Sequence, residues 1–179
     1  MSCTKPSQLS LPEAFCAARL EEVPAEVRGY ARVLPRFADG RLDYSASTDA
    51  AVVDCYVYHG RKLLVLKRRN PLGHLQQPWH VVSGLLDELR PLSEMATSEM
   101  FEEIGPQEIL SMRALSPYCS RDSRRWTVYP VAAEISAPSS IRLNEEHSEF
   151  AWIPFEKADS YLLPQVCSVW AQHFRIRYS

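Results

Sequence analysis

Three glutamates set the chemistry this sequence can do. Glu99, Glu102 and Glu103 close an otherwise apolar stretch, and Gly105-Pro106 follows directly. In a helix, at about 100° per residue, Glu102 falls about 60° to one side of Glu99 and Glu103 about 40° to the other, so all three carboxylates share one wedge. Like charges this close repel by a few tenths of a kcal/mol per pair, roughly, in water. A divalent cation turns that repulsion into attraction. Carboxylates suit Mg²⁺ or Mn²⁺, hard ions that take oxygen ligands and keep several waters. The competing view is an ordinary solvated acidic face.

A second acidic cluster lies at Asn144-Glu-Glu-His-Ser-Glu. Glu145, Glu146 and Glu149 are its carboxylates. By itself it reads as an ordinary polar loop. Arginine supplies the complementary charge. Arg68 is the leading phosphate binder, and Arg69, Arg121, Arg124 and Arg125 are further candidates, since guanidinium grips phosphate in a bidentate way. Trp79, Tyr118 and Trp126 could stack on a planar ring, although core packing accounts for most aromatics.

The elements that must hold these groups can be read from pattern. A helix is expected over 93–104, with Ser93 as its cap and Gly105 as its stop. Its apolar wedge, Ala96, Met100, Phe101 and Ile104, is expected to face a core. Gly84 is expected to open the turn before it. Residues 50–58 and 62–68 read as two strands joined at His59-Gly60 into a hairpin. An extended run from Gln77 leads into Gly84. Further strands are expected at 109–115, 126–135 and 149–154, with a basic loop at 120–125. Helices are expected at 156–161 and 164–174, the second with Val166, Trp170 and Phe174 on one face. Towards the N-terminus, residues 1–10 read as a loose arm, Ser10 starts a helix, and 38–41 forms a turn. The mixed order of strands and helices predicts α+β. Residues 1–48 are too short to bury a core alone and are expected to be an extension packed on a domain spanning 49–179.

With these residues in view, the chain resembles the Nudix hydrolase superfamily, whose box is G-x5-E-x7-R-E-U-x-E-E-x-G-U with U a bulky apolar residue. Gly84, Glu99, Met100, Glu102, Glu103 and Gly105 match it in identity and without a gap. Arg90 stands where the box has its first glutamate, Ser98 where it has arginine, and Pro106 where it has its final apolar residue. The hairpin ending Leu-Val-Leu-Lys-Arg-Arg, the run Pro-Trp-His-Val-Val-Ser-Gly and the later Phe-Ala-Trp-Ile-Pro fit the flanks. Glu146-His147 with Phe150 and Trp152 is similar to the pattern of dihydroneopterin triphosphate pyrophosphatases and their relatives, and this likeness implies a further metal ligand or proton acceptor here, Glu146 first, then Glu145 and Glu149. The resemblance covers about residues 50–175 and implies an α/β/α sandwich with a mixed sheet. It implies Mg²⁺ (or Mn²⁺) held by the Gly84 carbonyl, Glu99, Glu102, Glu103 and Glu146, with Glu102, Glu103 and Glu146 catalytic and Arg68, Trp79, Tyr118 and Arg124 binding substrate. The reaction implied is hydrolysis of a phosphoanhydride in a small phosphorylated substrate, a nucleoside or pterin triphosphate or a nucleoside diphosphate linked to another group. In the family, the box's first glutamate and its arginine form an ion pair that braces the loop. Both are absent here, so that brace is expected to be lost, with Arg90 reaching Glu94 or Glu99 or pointing to water. The loss motivates an alternative, a catalytically weak module that binds a nucleotide or a protein.

Composition narrows the classes. The chain has 179 residues, 46% hydrophobic and 23% charged, which suits one globular domain. The net charge of −2 gives no global basic field for nucleic acid. An RNA-binding reading would rest only on the Arg121–Arg125 loop with its nearby aromatics. Five cysteines without a CxxC pair argue against a zinc ribbon or a disulfide scaffold and fit a reducing, cytoplasmic setting. No membrane span or secretory signal is expected. A homodimer is compatible with the sequence, residues 1–48 being one candidate to cover its interface.

Overall fold

The computed structural model describes residues 19–69, 78–121 and 123–178, with side chains through residue 171. The expected arm at 1–10, the helix from Ser10, the loop at 70–73, Gln77 and the Phe174 side chain lie outside the described residues.

The organising strand is β1 (Asp49–His59). It is rich in β-branched and aromatic residues and buried on both faces, as a central strand must be. It runs parallel to β7 (Arg125–Ile135) over ten paired positions, from Asp49↔Arg125 to Tyr58↔Glu134. Its other edge meets β4 (Val82–Leu85), where Gly84 lies opposite Val53. The contact of β1 with β2 (Lys62–Arg68) is brief, only Tyr58↔Leu63 and His59↔Lys62 around Gly60. The expected hairpin therefore forms, but it splits after its turn. β2 then pairs with β8 (His147–Pro154) and with β3 (Trp79–His80). β5 (Ile109–Ala114) and β6 (Tyr118–Arg121) pair with β7. Ser120, Arg121 and Arg125, in the stretch expected as a basic loop, belong to these paired strands, with Arg121 opposite Arg125. Their polar side chains hid the strand because one face is exposed.

Side chains alternate along β1. Val53, Cys55 and Val57 point to α2 (Leu92–Ile104), where Met95, Ala96, Met100 and Ile104 are buried. Tyr56 and Tyr58 point the other way, to Trp170 of α3 (Pro164–Tyr178) and to Phe155. The result is an α/β/α sandwich around a mixed sheet with eight strands among the described residues. Phe101 does not join the core as expected. It is exposed, whereas Met95, outside the expected wedge, is buried.

The described part of the N-terminal segment packs on the α2 side. α1 (Ala25–Tyr30) buries Val27, and Leu42 and Tyr44 join the same core. This segment also corrects the expected helix cap. Pro91 precedes α2 and Ser93 makes no capping bond. The free N–H groups of Leu92 and Ser93 donate instead to the carbonyls of Glu22 and Leu20, at 3.1 and 2.8 Å. Backbone groups from outside the helix thus satisfy donors that a side-chain cap would otherwise take. The far end follows expectation: Gly105 takes φ 76°, a region open to glycine, and stops the helix.

Candidate metal and phosphate site

The site begins where β4 hands the chain to α2. Gly84 faces Glu99 so closely that a methyl group there would overlap the Glu99 carboxylate. Glycine is required for that approach. Glu103 lies one turn further along α2. Its neighbours Met100 and Ile104 pack into the core and draw it in, leaving it only 4% exposed. The Ser83 backbone N–H donates to its carboxylate. Burial, followed by the fields of Glu102, Asp87, Glu146 and Glu88, pushes the Glu99 carboxyl up to about 7. Burial pushes Glu103 up to about 8, with Glu99 and Glu146 adding and the Ser83 N–H and Arg68 opposing. Glu102 is exposed on the same wedge and lines the same cleft.

The acidic loop hangs from the end of this helix. Arg142 and Asn144 donate backbone N–H groups to the carbonyls of Ile104 and Glu103, at 2.9 and 3.2 Å. Arg69, at the end of β2, grips the loop backbone. Its own N–H reaches the Glu146 carbonyl at 2.8 Å, and its guanidinium reaches the carbonyls of Glu145 and His147 at 3.1 and 3.3 Å. Arg69 is therefore engaged in holding the loop. Glu146 turns into the cleft and lies 3.4 Å from Arg68. Glu149 turns outward to Lys67 at 2.8 Å, and Glu145 is exposed and off the cleft wall.

Together these groups line a cleft of about 690 Å³. Gly84, Glu99, Glu102, Glu103, Glu146, Arg68 and Arg124 all face it. Trp79 and Tyr118 do not. Trp79 packs edge-on against Tyr161 at 5.6 Å, and the Tyr118 hydroxyl donates to the buried Asp54 at 3.3 Å. Arg124 lies over the Trp126 ring at 5.2 Å and donates to the Tyr44 carbonyl at 3.3 Å.

Several lining residues escaped the sequence reading. Asp87 and Glu88 add negative charge beside Glu99, and their position inside the box's five-residue spacer was the available signal. Arg41 comes from the N-terminal segment, positioned by Asp39 at 2.8 Å and Asp87 at 3.6 Å, and no local pattern marks it. Asn144 also lines the wall. Behind the wall sits His147, fully buried, with Nε2 3.8 Å from Glu103 Oε2.

The brace expected to be lost is rebuilt from the substituted residues. Arg90 donates to Ser98 Oγ at 3.3 Å and to Glu94 at 3.1 Å, and Glu88 lies at 3.6 Å. Arg90 does reach Glu94, one of the expected outcomes. The contact between the two altered box positions was not foreseen. A guanidinium now comes from the loop, and a hydroxyl and a carboxylate from the helix receive it.

The donor set fits a hard divalent ion. Two carboxylates whose ionisation is opposed chiefly by burial, an exposed third and a close glycine backbone are all oxygen donors. Among the described residues, no group of three His, Cys, Asp or Glu is gathered tightly enough to cage an ion by itself. The fit lies in chemistry and position.

No family model matches the chain. A curated relative, the nucleoside triphosphatase NudI of Klebsiella pneumoniae, is 26% identical over 110 residues, covering 55% of this chain and 76% of the relative. A solved Ap4A hydrolase from C. elegans superposes with a TM-score of 0.58 at 18% identity, over 71% of this chain and 96% of that one. The chain has the Nudix fold. The NUDIX domain of Shewanella oneidensis NrtR, solved with ADP ribose, superposes equally well, with a TM-score of 0.58 at 18% identity over 72% and 88% of the two chains.

Proposed function

We propose that this chain is an enzyme, a Nudix-type pyrophosphohydrolase. It hydrolyses a phosphoanhydride bond in a nucleoside or pterin triphosphate, or in a nucleoside diphosphate linked to another group. The observation that carries the reading is the acidic face of α2, with Glu99 seated on Gly84 and Glu103 buried, in the same cleft as Arg68. The relatives' names, a nucleoside triphosphatase and an Ap4A hydrolase, support a nucleotide substrate.

The Gly84 carbonyl, Glu99, Glu102, Glu103 and Glu146 would hold Mg²⁺ or Mn²⁺. Such an ion neutralises phosphate charge, polarises the P–O bond and lowers the pKa of the attacking water. Arg68 and Arg124, both in the cleft wall, bind phosphoryl oxygens. Glu146, exposed and mounted on a loop tied down by Arg69, is placed to accept a proton from water. Burial of Glu103 keeps competing water from its carboxylate. The catalytic unit is residues 49–179, with 1–48 as an extension that lends Arg41 to the cleft. The cytoplasm suits the free Cys55, Cys119 and Cys167, and a homodimer is compatible with this arrangement.

The alternative of a catalytically weak module drew its motive from the two box substitutions. Their direct contact weakens that motive. The test is incubation with Mg²⁺ and a panel of nucleoside triphosphates, dinucleoside polyphosphates, nucleotide sugars, ADP-ribose and pterin triphosphate. Turnover on one class, lost in Glu103→Gln, is expected. No turnover above that variant on any of them would sink the enzyme reading.

A further inference from the structure

Two polar atoms, one in the wall of the site and one behind it, lie close together without a hydrogen bond. Glu103 Oε2 and His147 Nε2 are both buried and make no hydrogen bond. Their side chains are 5% and 0% exposed, and the atoms lie 3.8 Å apart. Unpaired buried polar atoms are uncommon and costly. Here the cost is compounded, because both atoms are acceptors when Glu103 is ionised.

Asn144 fixes the tautomer. Its Oδ1 accepts the Glu146 backbone N–H at 3.1 Å, which assigns that atom as oxygen. The same Oδ1 lies 3.0 Å from His147 Nδ1, so Nδ1 carries the proton. Nε2 therefore presents a lone pair towards Glu103. The separation is too short for a water to bridge two acceptors. It is within the span of about 4.2 Å that two donors cover across one ion at about 2.1 Å each. The neighbouring His80 is not equivalent. Its Nε2 already accepts from Arg68 at 2.9 Å.

We infer that His147 Nε2 is a nitrogen ligand to the ion held by Glu103, which makes this a mixed nitrogen–oxygen site selective for Mn²⁺ over Mg²⁺. Imidazole suits transition ions, whereas Mg²⁺ prefers oxygen. The Asn144 bond orients the ring from behind, as outer partners of metal-bound histidines do. The inference rests on the divalent-ion reading of the α2 carboxylates and adds a ligand from outside the box.

The experiment uses the full chain loaded with Mn²⁺ and pulsed electron paramagnetic resonance to detect nitrogen bound to the ion. A ¹⁴N modulation is expected, converted to ¹⁵N when histidine is isotopically labelled, lost in His147→Gln and kept in His80→Gln. A competition titration should show the Mn²⁺ preference over Mg²⁺ falling on the order of 10-fold or more in His147→Gln. Mn²⁺ that binds and raises the melting temperature without nitrogen coupling would overturn the His147 assignment alone. Coupling that vanishes in His80→Gln but not in His147→Gln would overturn it too. Absence of any Mn²⁺ binding would overturn both this inference and the metal-dependent reading beneath it.

Discussion

The two faces of β1 differ in what their helices bury. On one, Tyr56, Tyr58, Phe155 and Trp170 form an aromatic cluster, with Tyr56 and Trp170 rings 5.5 Å apart and nearly parallel. On the other, α2 packs Met95, Ala96, Met100 and Ile104 equally tightly but carries Glu99 and Glu103 along the rim of that packing. The first face is arranged for stability. The second accepts crowded carboxylates whose ionisation burial opposes, an arrangement that favours function at a cost in stability. The same strand supports both, so substitutions on the two sides should separate folding from chemistry.

The largest effect is expected on the aromatic face. Trp170→Ala should cost roughly 3–5 kcal/mol, the usual range for deleting a large buried aromatic. Denaturant unfolding measures it, and activity per folded molecule should stay close to the parent. A parallel loss of turnover in the folded fraction would break the division of labour. On the acidic face, Glu103→Gln should lower hydrolysis on the order of 10²-fold or more, with little loss of fold, as seen by steady-state kinetics beside circular dichroism.

The pH dependence sharpens the contrast. Glu99 and Glu103 titrate at about 7 and about 8 in the folded chain, above the ordinary glutamate value. The folded state therefore binds more protons than the unfolded chain between the ordinary range and about 8. The stability tied to their protonation is fully present below the ordinary glutamate pKa and is lost as pH rises through 7 to 8. Without metal, melting temperature should thus fall across that window, and Glu99→Gln with Glu103→Gln should flatten the slope. A slope unchanged in the double variant would contradict the assignment.

The smallest effect is expected at the brace. Arg90→Ala removes part-exposed contacts to Ser98, Glu94 and Glu88, which as surface pairs are worth about 0.2–1 kcal/mol. Stability should shift by no more than that, while Mn²⁺ affinity, read by calorimetry, falls several-fold because the box loop is less fixed. Restoring the family pattern with Arg90→Glu and Ser98→Arg together should recover the affinity.

Much of this architecture is legible in the sequence because periodicity reports burial. β1, β2 and β7 stand out as β-branched runs, and α2 as a helix stopped by Gly105. The acidic wedge is legible because helical spacing alone puts Glu99, Glu102 and Glu103 together. What resists reading depends on tertiary contacts. The cap of α2 comes from Leu20 and Glu22, some 70 residues upstream. Arg41 reaches the cleft by the packing of the N-terminal segment. The Arg90–Ser98 contact follows from a loop geometry that a pattern match treats only as two mismatches. Phe101 shows the limit of a wedge drawn on an isolated helix, since it is exposed while Met95, outside that wedge, is buried. Trp79 and Tyr118 are aromatic and near the site in sequence, yet their packing partners turn them away from the cleft.

The central claim is that the α2 carboxylates over Gly84 form a divalent-ion site. The most direct measurement is the melting temperature at pH 8 with and without Mn²⁺, for the parent chain and for the Glu99→Gln, Glu103→Gln double variant. The account predicts that Mn²⁺ raises the melting temperature of the parent and leaves that of the variant unchanged, since only an ion bound to the folded state shifts it. An equal shift in both, or none in the parent, would contradict it.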